Sequence, residues 1–179
     1  MRKEAGRVLA RTAAQAAVVG AVPIPVADAA ILVPLQLRML SRIGKIYGMD
    51  KSTAGNTIID SIIQVGATTL AGRTLLSALK AVPGIQMAGV ILNAIVAGTV
   101  TYTAGQVSVR VFEGIRKGTI DPETIDWMNY IQGLFGEKMP DYTKQLQEAL
   151  EKKTPEEVLK NLLKILNRKE NRNDDQTVQ

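Results

Sequence analysis

Apolar residues recur along this chain at three- and four-residue intervals, and no stretch shows sustained two-residue alternation between hairpin turn signals, so helices are expected and strands are not. A first helix is predicted from Arg2 to Gly20, ended by Val22-Pro23-Ile24-Pro25, where two prolines lack donors and restrict the residues before them. A second runs from Val26 or Asp28 to Tyr47, with Pro34 inside it and Gly48 as its stop. Asp50 or Ser52 caps a third, which continues to Lys80 before Val82-Pro83-Gly84 makes a second proline corner. A fourth follows. Residues 81 to 109 carry no charge, 29 in a row, and as one helix they would measure about 43 Å, enough to span a bilayer.

That fourth segment is not a plain greasy anchor, because Gln86, Asn93, Thr99, Thr101, Thr103, Gln106 and Ser108 are polar and need protein neighbours. Gly89, Asn93, Ala97, Thr101 and Gly105 recur every fourth residue, a stripe of mostly small side chains that permits close helix approach. A packing seam in a soluble bundle explains the stripe equally well. Ala21-Val22-Pro23 and Ala81-Val82-Pro83 stand 60 residues apart with Ile31-Leu32 and Ile91-Leu92 in register, a weak repeat of helix, proline corner and apolar helix. Together these readings predict an all-α fold of two helical hairpins with proline corners, forming a four-helix body over residues 1–117.

After Arg116 the character changes. Asp121-Pro122-Glu123 reads as a helix start, with Trp127, Ile131, Leu134 and Phe135 on one face, and Thr154-Pro155-Glu156-Glu157 as another start. The second of these places Val158, Leu159, Leu162, Leu163 and Leu166 opposite Lys160 and Lys164. Residues 118–168 are therefore expected as charged amphipathic helices packed on or beside the body. Leu159, Leu162 and Leu166 are candidate contacts, either within the chain or with a partner, and residues 169–179 are expected to be a disordered tail.

Charge sharpens this division. Lys and Arg outnumber Asp and Glu by 8 to 3 over residues 1–51 and by 3 to 1 over 52–110, whereas residues 111–179 carry 11 against 13. A basic apolar body is thus followed by a charge-dense segment. Its cations are scattered and few aromatics lie between them, which disfavours nucleic acid as a partner. Arg2, Lys3, Arg7 and Arg11 leading into an uncharged run from Thr12 to Ala27 suit anionic lipid heads better. Ala27-Asp28-Ala29 loosely imitates a signal cleavage site, but Glu4 and the two prolines weigh against a removable leader.

Chemistry is scarce. With no Cys and no His, thiol nucleophiles, disulfides, thiolate or imidazole metal ligands and the usual neutral-pH base are all missing. No phosphate-cradling loop exists, and the acids of the body, Glu4, Asp28, Asp50 and Asp60, are too separated for a paired-carboxylate site. No enzyme activity and no cofactor are expected. Asp28, beginning an apolar helix after a two-proline corner, reads as a cap or first-turn acid, or as a functional carboxylate if it lies in a bilayer, with Arg38, Arg42 or Arg73 as partners.

The run Val22-Pro23-Ile24-Pro25-Val26-Ala27-Asp28, then Gln36, then Ile43-Gly44-Lys45-Ile46-Tyr47-Gly48, resembles the YcjF-like membrane-associated helical family of unknown function. Pro83, Gly84, Asn93, Thr101 and Gly105 match that family's later proline-glycine corner and small-residue helix. The resemblance implies a membrane-associated module, often accompanied by a GTPase, although no GTPase segment is present here and the family has no established catalytic residues to carry over. The expected reading is a non-catalytic module on the cytoplasmic side of a membrane, contacting lipid and a protein partner, which could be a GTPase or a second copy. Two alternatives stay open: a soluble scaffold that self-assembles or binds a protein, and a small pore or transporter subunit lined by Asp28, Asn93 and the threonines.

Overall fold

The computed structural model describes residues 1–21, 27–49, 52–68, 70–83 and 89–171. Among them are seven helices and no strand: α1 (Arg2–Gly20), α2 (Ala27–Tyr47), α3 (Thr53–Thr68), α4 (Leu70–Lys80), α5 (Gly89–Arg116), α6 (Trp127–Lys152) and α7 (Pro155–Asn171). The all-α class is as expected. The corner residues Pro23, Pro25 and Gly84 lie outside the described residues, as do Asp50 and the tail residues 172–179, while α7 itself reaches Asn171.

Local chemistry sets most of the boundaries. Gly48 takes a left-handed φ of 79°, its N–H donates to the Lys45 carbonyl and the Met49 N–H donates to the Gly44 carbonyl, the paired bonds of a Schellman stop. Gly118, at φ 70°, ends α5 the same way through Ile115 and Gly114. Ser52 caps α3 by accepting from the Gly55 N–H at 2.9 Å. At α7 a reciprocal capping box joins Thr154 and Glu157, each backbone N–H donating to the other's side chain.

The expected third helix is helical over Thr53–Thr68 and Leu70–Lys80, and Thr69 between them lies outside the described residues. One boundary differs from the sequence reading. The helix expected at Asp121 begins instead at Trp127. Asp121 spends its carboxylate on an Asx turn to the Glu123 N–H, and Asp126, in extended conformation, accepts from the Asn129 N–H as the true cap.

The bundle is built around α5, which packs against all six other helices. Its partners bury Leu9, Met39, Leu40, Ile43, Ile58, Ile62, Leu75 and Leu79 to 2% exposure or less, around Leu92, Ile95 and Phe112 of α5 itself. Helix α6 lies across α3, α4 and α5 with Trp127, Ile131, Leu134 and Phe135 buried on one face, and α7 lies on α1 and α5. Mean chain hydropathy is near zero because these apolar faces are matched by charged outer ones, as the last two helices show most plainly.

Candidate functional site

The tightest seam joins α1 to α5, and the two helices run antiparallel. A Cβ placed on Gly20 would lie 2.9 Å from both the Ala97 Cβ and the Asn93 carbonyl oxygen, one on Gly98 would lie 3.1 Å from the Ala17 Cβ, and one on Gly105 would strike the Leu9 side chain. At the far end the Arg2 guanidinium meets Glu113 at 2.7 Å. Of the small-residue stripe, Ala97, Thr101 and Gly105 are buried in this seam, whereas Gly89 and Asn93 are exposed. A Cβ on Gly89 meets nothing within 4 Å, so the overcrowding expected for a side chain there does not arise.

Antiparallel pairing has a consequence for charge. The uncharged run ending α1 and the uncharged run beginning α5 lie at one end of the bundle. Val18, Ile31 and Val90 are exposed there, the first at 60%. Pro83 is exposed at the same end, and Asp28 lies in the first turn of α2, its side chain outside the described residues. Lys80, closing α4, is the described basic residue nearest the second corner.

The opposite end is charged. Glu113 receives both Arg2 and the Lys117 ammonium at 2.7 Å, and the hydrogen bond from Lys117, with smaller help from Arg2, holds its carboxyl below the usual carboxylate range. Its ionised form therefore contributes stability above the unfolded-state pKa, and that contribution is lost as pH falls through the lowered folded value. Tyr47 is buried beside this cluster with no hydrogen-bond partner for its hydroxyl, and burial, then the Glu113 charge, raises its pKa. A neighbouring cleft of about 480 Å³ is lined by Arg2, Lys3, Gly6, Leu9, Arg110 and Lys138, among others, with Glu137 already holding Arg110 at 3.0 Å and Lys138 at 3.2 Å.

Two residues named separately in the sequence meet in the core. The Gln36 amide donates to the Thr101 hydroxyl at 2.9 Å, the pair being 4% and 0% exposed and 65 positions apart. Replacing Gln36 by Leu is expected to cost about 1–3 kcal/mol by leaving a buried hydroxyl without its donor, and pairing that change with Thr101→Val should recover much of the loss. Thermal melts of the two single variants and the double variant measure it; additive losses would mean the bond contributes nothing. Thr103 donates to the Thr99 carbonyl and Ser108 to the Gly105 carbonyl.

The C-terminal leucines turn inward. Leu166 is 2% exposed, Leu162 comes within 3.5 Å of where a Gly98 Cβ would stand, and Leu159 is half-buried against the core. Sequence reasoning did not single out Leu9, Gly20 or Gly98, whose importance depends on the distant helix each one faces. Among the described residues no group of three or more acidic side chains is placed to hold a metal ion.

Over 95 residues the chain is 33% identical to "Magnetosome membrane protein 22" of Magnetospirillum gryphiswaldense, an alignment covering 51% of this chain and 49% of that protein. The chain thus spans about half the length of this curated relative. No solved structure matches. The family model described as "Domain of unknown function (DUF697)" matches residues 1–129, from α1 through the start of α6, and the chain belongs to that family.

Proposed function

We propose that this chain is a non-catalytic, membrane-associated helical module whose uncharged end meets the bilayer. The observation that carries the reading is the stacking of both charge-free runs at one end of the antiparallel α1–α5 pair, with Val18, Ile31 and Val90 exposed there. The membrane protein named above supports it. Helix α5 is long and apolar enough to cross a membrane, yet 67% of its most apolar window is buried among the other helices, which favours dipping by the bundle end over spanning by this helix. The body of residues 1–117 then faces lipid, and the charged layer of residues 118–168 faces the cytosol. Arg2, Glu113, Arg116 and Lys117 form the end left for a protein partner, a GTPase being the class the family resemblance implies.

Flotation with vesicles of mixed zwitterionic and anionic phospholipid tests the proposal. The full chain should float and stay with the vesicles in high salt, because the contact is apolar rather than a screened surface attraction. The double variant Val18→Asp with Val90→Asp should partition at least about tenfold less, since charged groups are costly in the hydrocarbon region. A chain that remains soluble without detergent and never floats would favour the scaffold reading, in which the apolar helices serve only to close the core.

A further inference from the structure

The cleft of about 480 Å³ at the charged end is within the range of small-molecule sites. Among the described residues, every ionisable side chain that lines it is a cation: Arg2 and Lys3 from α1, Arg110 from α5 and Lys138 from α6. The two carboxylates that hold these cations are each shared. Glu113 receives Arg2 and Lys117, and Glu137 receives Arg110 and Lys138, so each trio of two cations and one anion keeps one positive charge. The guanidiniums are only partly used. Arg2 engages Glu113 through Nε, and Arg110 reaches both Glu137 oxygens through Nη1 alone, which leaves the other nitrogens of each fork without an acceptor among the described residues. These donors are reachable from solvent, the side chains of Arg2, Arg110 and Lys138 being 76%, 51% and 42% exposed. Leu9, Val107 and Leu134, the apolar part of the lining, are nearly buried, so the cations are the chemistry the cleft presents.

We infer that this cleft binds the dianionic head of a phosphate monoester, bridged between Arg2 on α1 and the Arg110 and Lys138 side on α5 and α6. A carboxylate offers two oxygens and a single charge. A phosphate monoester offers three terminal oxygens and a charge of about −1.5 to −2 at neutral pH, which answers the one unneutralised charge of each trio and accepts from donors on separate walls. Planar guanidiniums with unused N–H groups match those oxygens in geometry as well as in charge. The cleft stands at the end of the bundle opposite the exposed Val18, Ile31 and Val90, so the inference does not rest on the lipid-facing reading.

The experiment is calorimetric titration of the full chain with phenyl phosphate near neutral pH, at low ionic strength, in a phosphate-free buffer and without vesicles. Saturable one-to-one binding is expected. Benzenesulfonate, which keeps the ring and a three-oxygen head but carries one charge, should bind about tenfold more weakly. Arg110→Gln should weaken phenyl phosphate about tenfold, the size of a hydrogen bond to a charged group, and Arg110→Lys about threefold, since the charge stays and the fork is lost. Lys160→Gln, which removes the same charge from an exposed position on α7 outside the cleft, should leave the affinity unchanged. Melts of the three variants check that each still folds. Absence of saturable binding by the unmodified chain overturns the inference, as does equal affinity for benzenesulfonate or an equal loss in Lys160→Gln, which would make the attraction a diffuse property of a basic surface. Phosphatidate carries the same head group, and flotation with vesicles containing it separates the two sources. If Arg110→Gln loses phenyl phosphate but floats as the unmodified chain does, the ester is a soluble molecule; if it also loses phosphatidate-dependent flotation, a lipid carries the group.

Discussion

A chain ending at Lys153 is expected to lose its cooperative thermal transition. The amphipathic pattern of α7 reads in sequence as a stripe that must dock on something, and in the fold it docks on α1 and α5. Val158 and Leu166 are buried at 4% and 2%, and Leu162 packs toward Gly98 across the α1–α5 seam. Withdrawing three such side chains removes about 5–9 kcal/mol of burial, at about 1.5–3 kcal/mol each, and uncovers the facing alanines besides. A domain of this size has about 5–15 kcal/mol in total, so the loss consumes most or all of it. Circular dichroism melts and light scattering of the truncated chain provide the measurement. A near-normal cooperative melt would instead mark α7 as a detachable layer, free to leave the body and offer Leu159, Leu162 and Leu166 to a partner.

Signals confined to one turn were legible in the sequence, and those that depend on pairing were not. Tyr47-Gly48 and Thr154 to Glu157 could be read because a Schellman stop and a capping box are closed by residues at most five apart. At Asp121 the same kind of reading failed. Two aspartates five positions apart both offer cap chemistry, and the choice of Asp126 aligns Trp127, Ile131, Leu134 and Phe135 with the core, a tertiary gain that a local rule does not weigh.

The candidate residues divide along the same line. Gln36 and Thr101 were each recognisable as polar positions within apolar helices, while their hydrogen bond required knowing that α2 crosses α5 at that level. The two charge-free runs were evident from composition. That they lie at one end follows from the antiparallel sense of α1 and α5, which the Gly20, Gly98 and Gly105 approaches establish. Asp28 shares that end through its place in the first turn of α2, beside a proline corner that lies outside the described residues. The period of the stripe is visible in the sequence, whereas the helix it faces is not. Helix α1 reaches it from the Asn93 backbone onward, while Gly89 faces open space.

Gly98→Leu should therefore be far more damaging than Gly89→Leu, although both place the same side chain on the same helix. At Gly98 the first added carbon already lies 3.1 Å from the Ala17 Cβ, 3.3 Å from the Ala13 carbonyl oxygen and 3.5 Å from Leu162. The first two belong to a helix whose backbone cannot yield without shifting the whole seam, so the three further carbons of leucine have nowhere to go. Overpacking of this kind costs about 3 kcal/mol or more, partly offset by the helix propensity of about 1 kcal/mol that leucine gains over glycine. At Gly89 the same propensity gain meets open space, and the variant should melt at or slightly above the unmodified chain. Denaturant titrations of both variants measure the contrast. Equal stabilities would mean that α1 does not press on α5 at Gly98, and the polarity argument built on their antiparallel contact would fall with it. If Gly98→Leu alone loses stability while Gly89→Leu still floats with vesicles, the seam and the lipid-facing end are separate properties of one helix. Its first turn would then be free for the bilayer, and its middle committed to the core.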